Sequence, residues 1–207
     1  MIDHERKFIF IHIPKTGGTS VEHTLFSSWE EILKNELFGG PNPYQMDNLC
    51  HLKFNHIIQS VGEKIFNSYF KFSFVRNPWD KAVSLFFFSQ RPNRKDLRSL
   101  LKLEDTYDFK TFVSALIEAP SHPFFDSQHT FFYKDGKSCI DFIGKIENFQ
   151  NDFDIICENI GITNTTLPRL HCTEHSLYTN YYDDKTIDSI AKRYKEDIIY
   201  FNYEYGK

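Results

Sequence analysis

Residues 7 to 20, KFIFIHIPKTGGTS, constrain the fold of this chain more tightly than any other stretch. Phe8 to Ile13 is almost continuously apolar and β-favouring, the composition of a strand in a parallel sheet covered by helices on both faces. Pro14 cannot donate to a sheet ladder and biases Ile13 toward extended backbone. The chain therefore leaves the sheet at the strand's carboxyl end, the edge at which open α/β sheets bind ligands. Gly17 and Gly18 let the backbone curl and bring its N–H groups close to an anion. Thr19 and Ser20 add hydroxyls at the start of a helix carrying Val21, Leu25 and Phe26, and Lys15 supplies positive charge.

A bare Gly-Gly after a strand is commonly an ordinary turn. Here a lysine, paired glycines, consecutive hydroxyls and a preceding buried strand point together to phosphate. The Walker pattern G-x-x-x-x-G-K-[ST] is absent, because the lysine precedes the glycines, so the loop reads as a relative of the nucleotide-binding loop with a different ligand.

With 207 residues, 41% of them hydrophobic, the chain is long enough to bury a sizeable core and is expected to form one domain over residues 1–207. The formal charge of −4 excludes the global basic field of a nucleic-acid binder, so any anion site is local. The opening MIDHERKFIF has acidic residues and no long apolar run, which argues against a signal peptide or membrane anchor. The expectation is a soluble protein, without a membrane span, located in the cytoplasm. Cys50, Cys139, Cys157 and Cys172 lack C-x-x-C spacing and read as free thiols. His171 to His175, HCTEH, is rich in metal-ligand types, but its glutamate is misplaced for H-E-x-x-H and no metal is expected.

The second informative stretch is YFKFSFVRNPWDKAVSLFFFSQ, residues 69 to 90. Tyr69 to Val75 reads as another buried strand, closed by Arg76. Asn77 is a good N-cap, Pro78 suits the first helical position, and Asp80 favours the positive helix end, so a helix to about Ser89 follows. Ser84 lies two turns beyond Asn77 and shares a face with the capped end. Arginine and serine are thereby placed to meet one anion, or else to serve as an ion-pair partner and a helix-packing residue.

IPKTGGTS followed by FVRNPWDKAVS resembles the two cofactor signatures of the P-loop-like sulfotransferases, in the branch that sulfates carbohydrates. The resemblance implies a three-layer P-loop-NTPase-like α/β fold with a mainly parallel sheet flanked by helices. It implies 3′-phosphoadenosine-5′-phosphosulfate (PAPS) as cofactor, with 3′-phosphoadenosine-5′-phosphate (PAP) as product. Lys15, Thr16, Gly17, Gly18, Thr19 and Ser20 would hold the 5′-phosphosulfate; Arg76 and Ser84 would hold the 3′-phosphate. The partner would be a glycan or another hydroxyl-bearing acceptor, not nucleic acid. DFIGKIENFQNDF, residues 141 to 153, resembles a later block of the family, whereas residues 27 to 50 and 91 to 127 are not covered. The family's Golgi members carry an N-terminal membrane anchor that is not seen in this sequence, which suggests a bacterial or otherwise soluble member.

Elsewhere the chain alternates strand and helix. Ile32 to Phe38 runs into GGPNP, a loop; His56 through Ile65 has modest helical spacing; Phe109 to Leu116 looks helical. Arg91, Arg94, Lys95, Arg98 and Lys102 with Leu97, Leu100, Leu101 and Leu103 suggest a short basic amphipathic helix, read as a solvated face ahead of a contact to an acidic acceptor. Cys139 to Ile143 reads as a strand, Asn151 to Ile160 as a helix ended by Gly161, and Asp188 to Ile199 as a closing helix.

Sulfuryl transfer needs in-line attack by an acceptor oxygen while negative charge builds on the departing phosphate, a task for Lys15 and preorganised N–H donors. The acceptor hydroxyl must lose a proton, and histidine titrates near neutral pH. His12 sits inside the strand and reads as a core residue. His51, in an H-x-x-F setting upstream of the arginine strand, resembles the base histidine of uronyl 2-O-sulfotransferases, with a glutamate from Glu30 to Glu36 in reserve. Two other classes stay open. A P-loop phosphotransferase would need magnesium held by a hydroxyl after the loop lysine, and a noncatalytic nucleotide-binding module would keep the cradle without His51.

Overall fold

The computed structural model describes residues 1–26, 32, 35, 37, 51–163, 165–168, 170 and 176–207. Two compact units make up the chain, one of Met1–Val75 with Thr130–His171 and one of Arg76–His129 with Cys172–Lys207.

The first unit holds a four-stranded sheet in the order β1-β2-β3-β6, built from β1 (Ile2–Asp3), β2 (Phe8–Ile11), β3 (Phe70–Val75) and β6 (Phe142–Lys145). β1 is antiparallel to β2; the β2–β3 and β3–β6 pairs are parallel. Phe8 is opposite Phe70 and Ile11 opposite Ser73, so β2 and β3 run in the same direction side by side. The Ser73 hydroxyl donates to the Ile11 carbonyl at 2.7 Å. Phe8, Phe10, Phe72 and Phe74 alternate onto one face, where they form a core with Val21, Leu25, Phe153, Ile156 and Ile160. Ile9, Ile11 and Ile13 on the other face are equally buried. This double burial explains the unbroken apolar run, since a strand covered on both sides cannot alternate with polar residues. The fold is α/β with a mainly parallel sheet flanked by helices, as the resemblance implies.

Around the sheet lie α1 (Gly18–Leu25), the helices Phe54–Val61 and Glu63–Ser68, and the helix Phe149–Ile160 ended by Gly161 at φ 72°. The single helical stretch expected from His56 to Ile65 is broken at Gly62, whose φ of 82° and ψ of 152° no helix accepts. The strand expected from Cys139 begins later, at Phe142, because Tyr133–Lys134 (β4) and Lys137–Ser138 (β5) pair as a separate antiparallel hairpin.

The second unit is helical: Pro78–Ser89, Lys95–Leu100, Phe109–Ile117, Asp184–Arg193 and Lys195–Phe201. The expected closing helix is two helices that meet at Tyr194, whose φ of −109° and ψ of 30° interrupt the spiral while its hydroxyl donates to the Phe125 carbonyl at 3.0 Å. Within the basic cluster Arg98 is buried, donating to the Ser89 and Arg91 carbonyls at 2.8 and 2.9 Å. It fastens the segment after the long helix and belongs to no solvated face.

Candidate functional site

Sequence and strand geometry together make the loop after β2. The chain leaves β2 at Ile11, passes Pro14, and enters α1 with Gly17 as N-cap. Lys15 and Gly17 both take left-handed backbone, φ 67° and 80°, on either side of Thr16. Left-handed residues next to a helix start turn successive N–H groups inward, the arrangement that makes an anion nest. Gly18 and Thr19 are the first helical residues, whose N–H groups find no acceptor within their own helix.

The six cradle residues divide by burial. Thr16, Gly18 and Ser20 form its floor, while Lys15, Gly17 and Thr19 are partly exposed on the open side. Thr16, fully buried, donates its hydroxyl to the Ile13 carbonyl at 2.9 Å, and the Ser20 hydroxyl oxygen accepts from the Leu170 N–H at 3.3 Å. Those two hydroxyls brace the loop. A Cβ on Gly17 would come within 2.7 Å of the Phe149 ring, and one on Gly18 within 2.1 Å of the His12 ring. Gly18 is required by that close approach. Gly18→Ala is expected to cost about 1 to 3 kcal/mol, the range for overpacking a dense site, seen as a lowered Tm together with loss of the Tm rise on adding PAP.

His12 explains the tightness beneath the loop. Its ring, 6% exposed, stacks on Phe10 with centroids 5.6 Å apart, and its Nδ1 lies 2.8 Å from Oε1 of Glu22. Glu22 is itself 2% exposed. Burial alone would raise its pKa, but the charge of His12 and the hydrogen bond from it outweigh that, helped by the charged amino terminus and then by His51, and hold the carboxyl below its ordinary range. Glu22 escapes a reading for catalytic types because it lies in a helix; its signal is positional, since Gly18, Val21, Glu22 and Leu25 fall on one buried stripe.

His51 joins this cluster. Its ring meets that of His12 edge to face at 4.5 Å, and its Nδ1 is 3.0 Å from the His12 carbonyl. A carbonyl only accepts, so Nδ1 carries the proton, and the neutral ring has its basic lone pair on Nε2. This is the tautomer a general base needs. Among the described residues the structure thus brings together the cradle, His12, Glu22 and His51. The reserve glutamates Glu30, Glu31 and Glu36, the loop GGPNP and HCTEH lie outside the described residues.

The second unit holds the other expected site residues, Arg76 and Ser84. Asn77 caps the helix Pro78–Ser89, its side-chain oxygen accepting from Trp79 N–H at 3.1 Å. Arg76 Nε donates to Asp80 Oδ2 at 2.7 Å, which fixes the guanidinium against the first turn. Gln128, wholly buried, clasps the Arg76 backbone from both sides: its Oε1 accepts from Arg76 N–H at 2.9 Å and its Nε2 donates to the Arg76 carbonyl at 2.8 Å. Asp197 in turn accepts the Gln128 N–H at 2.7 Å. No local pattern marks Gln128, which acts through folding contacts only. Ser84 is buried at 2% exposure in the same helix.

An α/β protein with a glycine-rich anion loop at the carboxyl end of a parallel strand is the class these elements define. A model described as "Sulfotransferase family" matches residues 1–204, and the chain belongs to the sulfotransferase family; it is a transferase. It is similar to mouse carbohydrate sulfotransferase 11, at 22% identity over 98% of this chain and 66% of that protein, and to carbohydrate sulfotransferase 10 of Xenopus laevis, at 26% over the same shares. An uncharacterized protein of Archaeoglobus fulgidus is 30% identical over 49% of this chain and 76% of its own length. Among solved structures, mouse sulfotransferase SULT7A1 complexed with PAP matches with a TM-score of 0.55 and 15% identity, covering 96% of this chain and 86% of that one. That likeness supports the fold.

The chain spans about two thirds of the length of the carbohydrate sulfotransferases it matches. The expected cytoplasmic location does not stand. The relatives that align over nearly the whole chain are carbohydrate sulfotransferases of mouse, rat and Xenopus laevis, the branch whose resemblance implies Golgi members. Among the described residues no helix is long and apolar enough to cross a membrane. That composition describes these residues and assigns no compartment.

Proposed function

We propose that residues 1–207 work as one sulfotransferase domain that moves a sulfuryl group from PAPS to a hydroxyl of a carbohydrate. The observation that carries this reading is the loop at Lys15 to Ser20. Left-handed Lys15 and Gly17 directly ahead of the helix Gly18–Leu25 support reading it as a nest for a phosphate-sized anion. The names of the full-length relatives support a carbohydrate acceptor.

PAPS, when bound, supplies the sulfuryl group on a phosphate leaving group. Lys15 and the N–H groups of Gly17, Gly18 and Thr19 would hold its 5′-phosphate end, where they would stabilise the negative charge of a departing phosphate. Thr16 and Ser20 keep the loop in shape from beneath. Nε2 of His51 takes the acceptor hydroxyl's proton as the new O–S bond forms. Arg76 and Ser84 are the residues that would hold the 3′-phosphate. A transfer assay with labelled PAPS and a panel of glycans tests the reaction; no labelled glycan in any reaction, despite tight PAP binding, would make the protein a nucleotide-binding module.

The role of Arg76 has its own test. Arg76→Ala is expected to weaken PAP about ten- to a hundredfold, the loss of a charge-assisted contact, while leaving adenosine 5′-phosphosulfate, which has no 3′-phosphate, nearly unaffected. Isothermal titration of both ligands reads the difference. Equal weakening would show that Arg76 serves the Asp80 pair alone.

A further inference from the structure

We propose that Glu22 is a positioning residue for the transfer step, acting on His51 through the ring of His12. This rests on the reading of His51 as the general base. Three observations carry it.

Glu22 is a carboxylate on a buried helix stripe, a place where a leucine would stabilise the core without the cost of desolvating a charge. Its Oε1 is spent on one ring nitrogen, Nδ1 of His12 at 2.8 Å. That contact fixes the rotation of a ring already held by Phe10 on one face and by Gly18 at its Cδ2–Nε2 edge. The same histidine then meets His51 twice, ring to ring at 4.5 Å and carbonyl to Nδ1 at 3.0 Å. A turn of the His12 ring would remove the wall against which His51 stands. The carbonyl bond would remain, so His51 would keep its tautomer and lose its aim. A base displaced by about 1 Å loses up to about a hundredfold in rate.

The described groups facing His12 include Phe10 on β2, Gly18 and Glu22 on α1, and His51 ahead of the helix Phe54–Val61. Among these contacts Glu22 is the carboxylate. Two of the three floor residues, Thr16 and Ser20, are braced on Ile13 and Leu170 and not on His12, so the loop keeps most of its support when the His12 ring turns.

The experiment is a double-mutant cycle read by single-turnover transfer and PAP titration. Glu22→Ala is expected to lower the transfer rate about ten- to a hundredfold with the Kd for PAP changed less than about threefold. Glu22→Gln keeps an oxygen acceptor for His12 and should recover most of that rate. In a His51→Ala background, Glu22→Ala should slow transfer no further. Glu22→Asp, one methylene shorter, provides the same comparison if the alanine variant does not fold: it should slow transfer with PAP affinity retained. Equal losses in rate and PAP affinity, or a glutamine variant as slow as alanine, overturn the proposal. If His51→Ala transfers at the parental rate, the base assignment fails and takes this inference with it. If His51→Ala is slow and a Glu22 change slows it again by its full factor, only the Glu22 proposal falls.

Discussion

His51→Ala is expected to lower the rate of sulfuryl transfer by roughly 10² to 10⁴, the range for a positioned general base, while PAP affinity stays close to parental. The expectation follows from where the ring's protons are. Nδ1 is committed to the His12 carbonyl at 3.0 Å, so in the neutral ring the proton-accepting site is Nε2. His51→Asn separates chemistry from scaffolding, because an asparagine amide donates to that carbonyl and does not take a proton near neutral pH. The asparagine variant should therefore be as slow as the alanine one while keeping its Tm. Single-turnover transfer beside thermal unfolding decides the matter: an asparagine variant with parental rates would make His51 a brace for the His12 carbonyl, and the base would have to be sought elsewhere.

The reliability of sequence reasoning here tracks how local each interaction is. Asn77, Pro78 and Asp80 occupy the cap, the first position and the first turn of their helix, because capping is settled within four residues of chain. β2 and β3 were legible for a related reason: a strand buried on both faces has an apolar run that a loop or surface helix lacks. His12 read as a core histidine and is one. Its partner Glu22 was not legible as such, since a glutamate in a helix is ordinarily solvated and only its place on the Gly18–Leu25 stripe says otherwise. Gln128 lies further out of reach, 52 residues from the Arg76 backbone it clasps. Segment ends misled wherever one residue took an unusual backbone: Gly62 split one expected helix, and Tyr194 split another. Location failed for a different reason. The charges of MIDHERKFIF describe that stretch, whereas compartment is a property of the whole protein, and the relatives extend beyond the length aligned here.

The glycines and the lysine of the cradle were legible as types, but their division of labour came from burial. Gly18 is a packing residue against His12, Thr16 and Ser20 are braces, and Lys15 stands on the open side at φ 67°. That backbone value shapes the last prediction. Lys15→Ala is expected to reduce turnover by roughly 10² to 10³, the loss associated with one preorganised donor at a site of developing negative charge, and to weaken PAPS binding as well. Alanine at a left-handed position keeps the strain lysine has, so the loss in Lys15→Ala is a loss of charge. Lys15→Gly removes the same charge and relieves the backbone, since glycine adopts positive φ without penalty. The two variants should be equally slow, with the glycine variant the more stable by about 1 kcal/mol, because the relief of left-handed strain exceeds the entropy that glycine adds to the unfolded chain. Lys15→Arg, which keeps a cation, should recover part of the rate. The comparison is made by single-turnover transfer at saturating PAPS, so that binding loss does not enter. A glycine variant that turns over at the parental rate would show that the loop's shape, and not the lysine's charge, stabilises the departing phosphate.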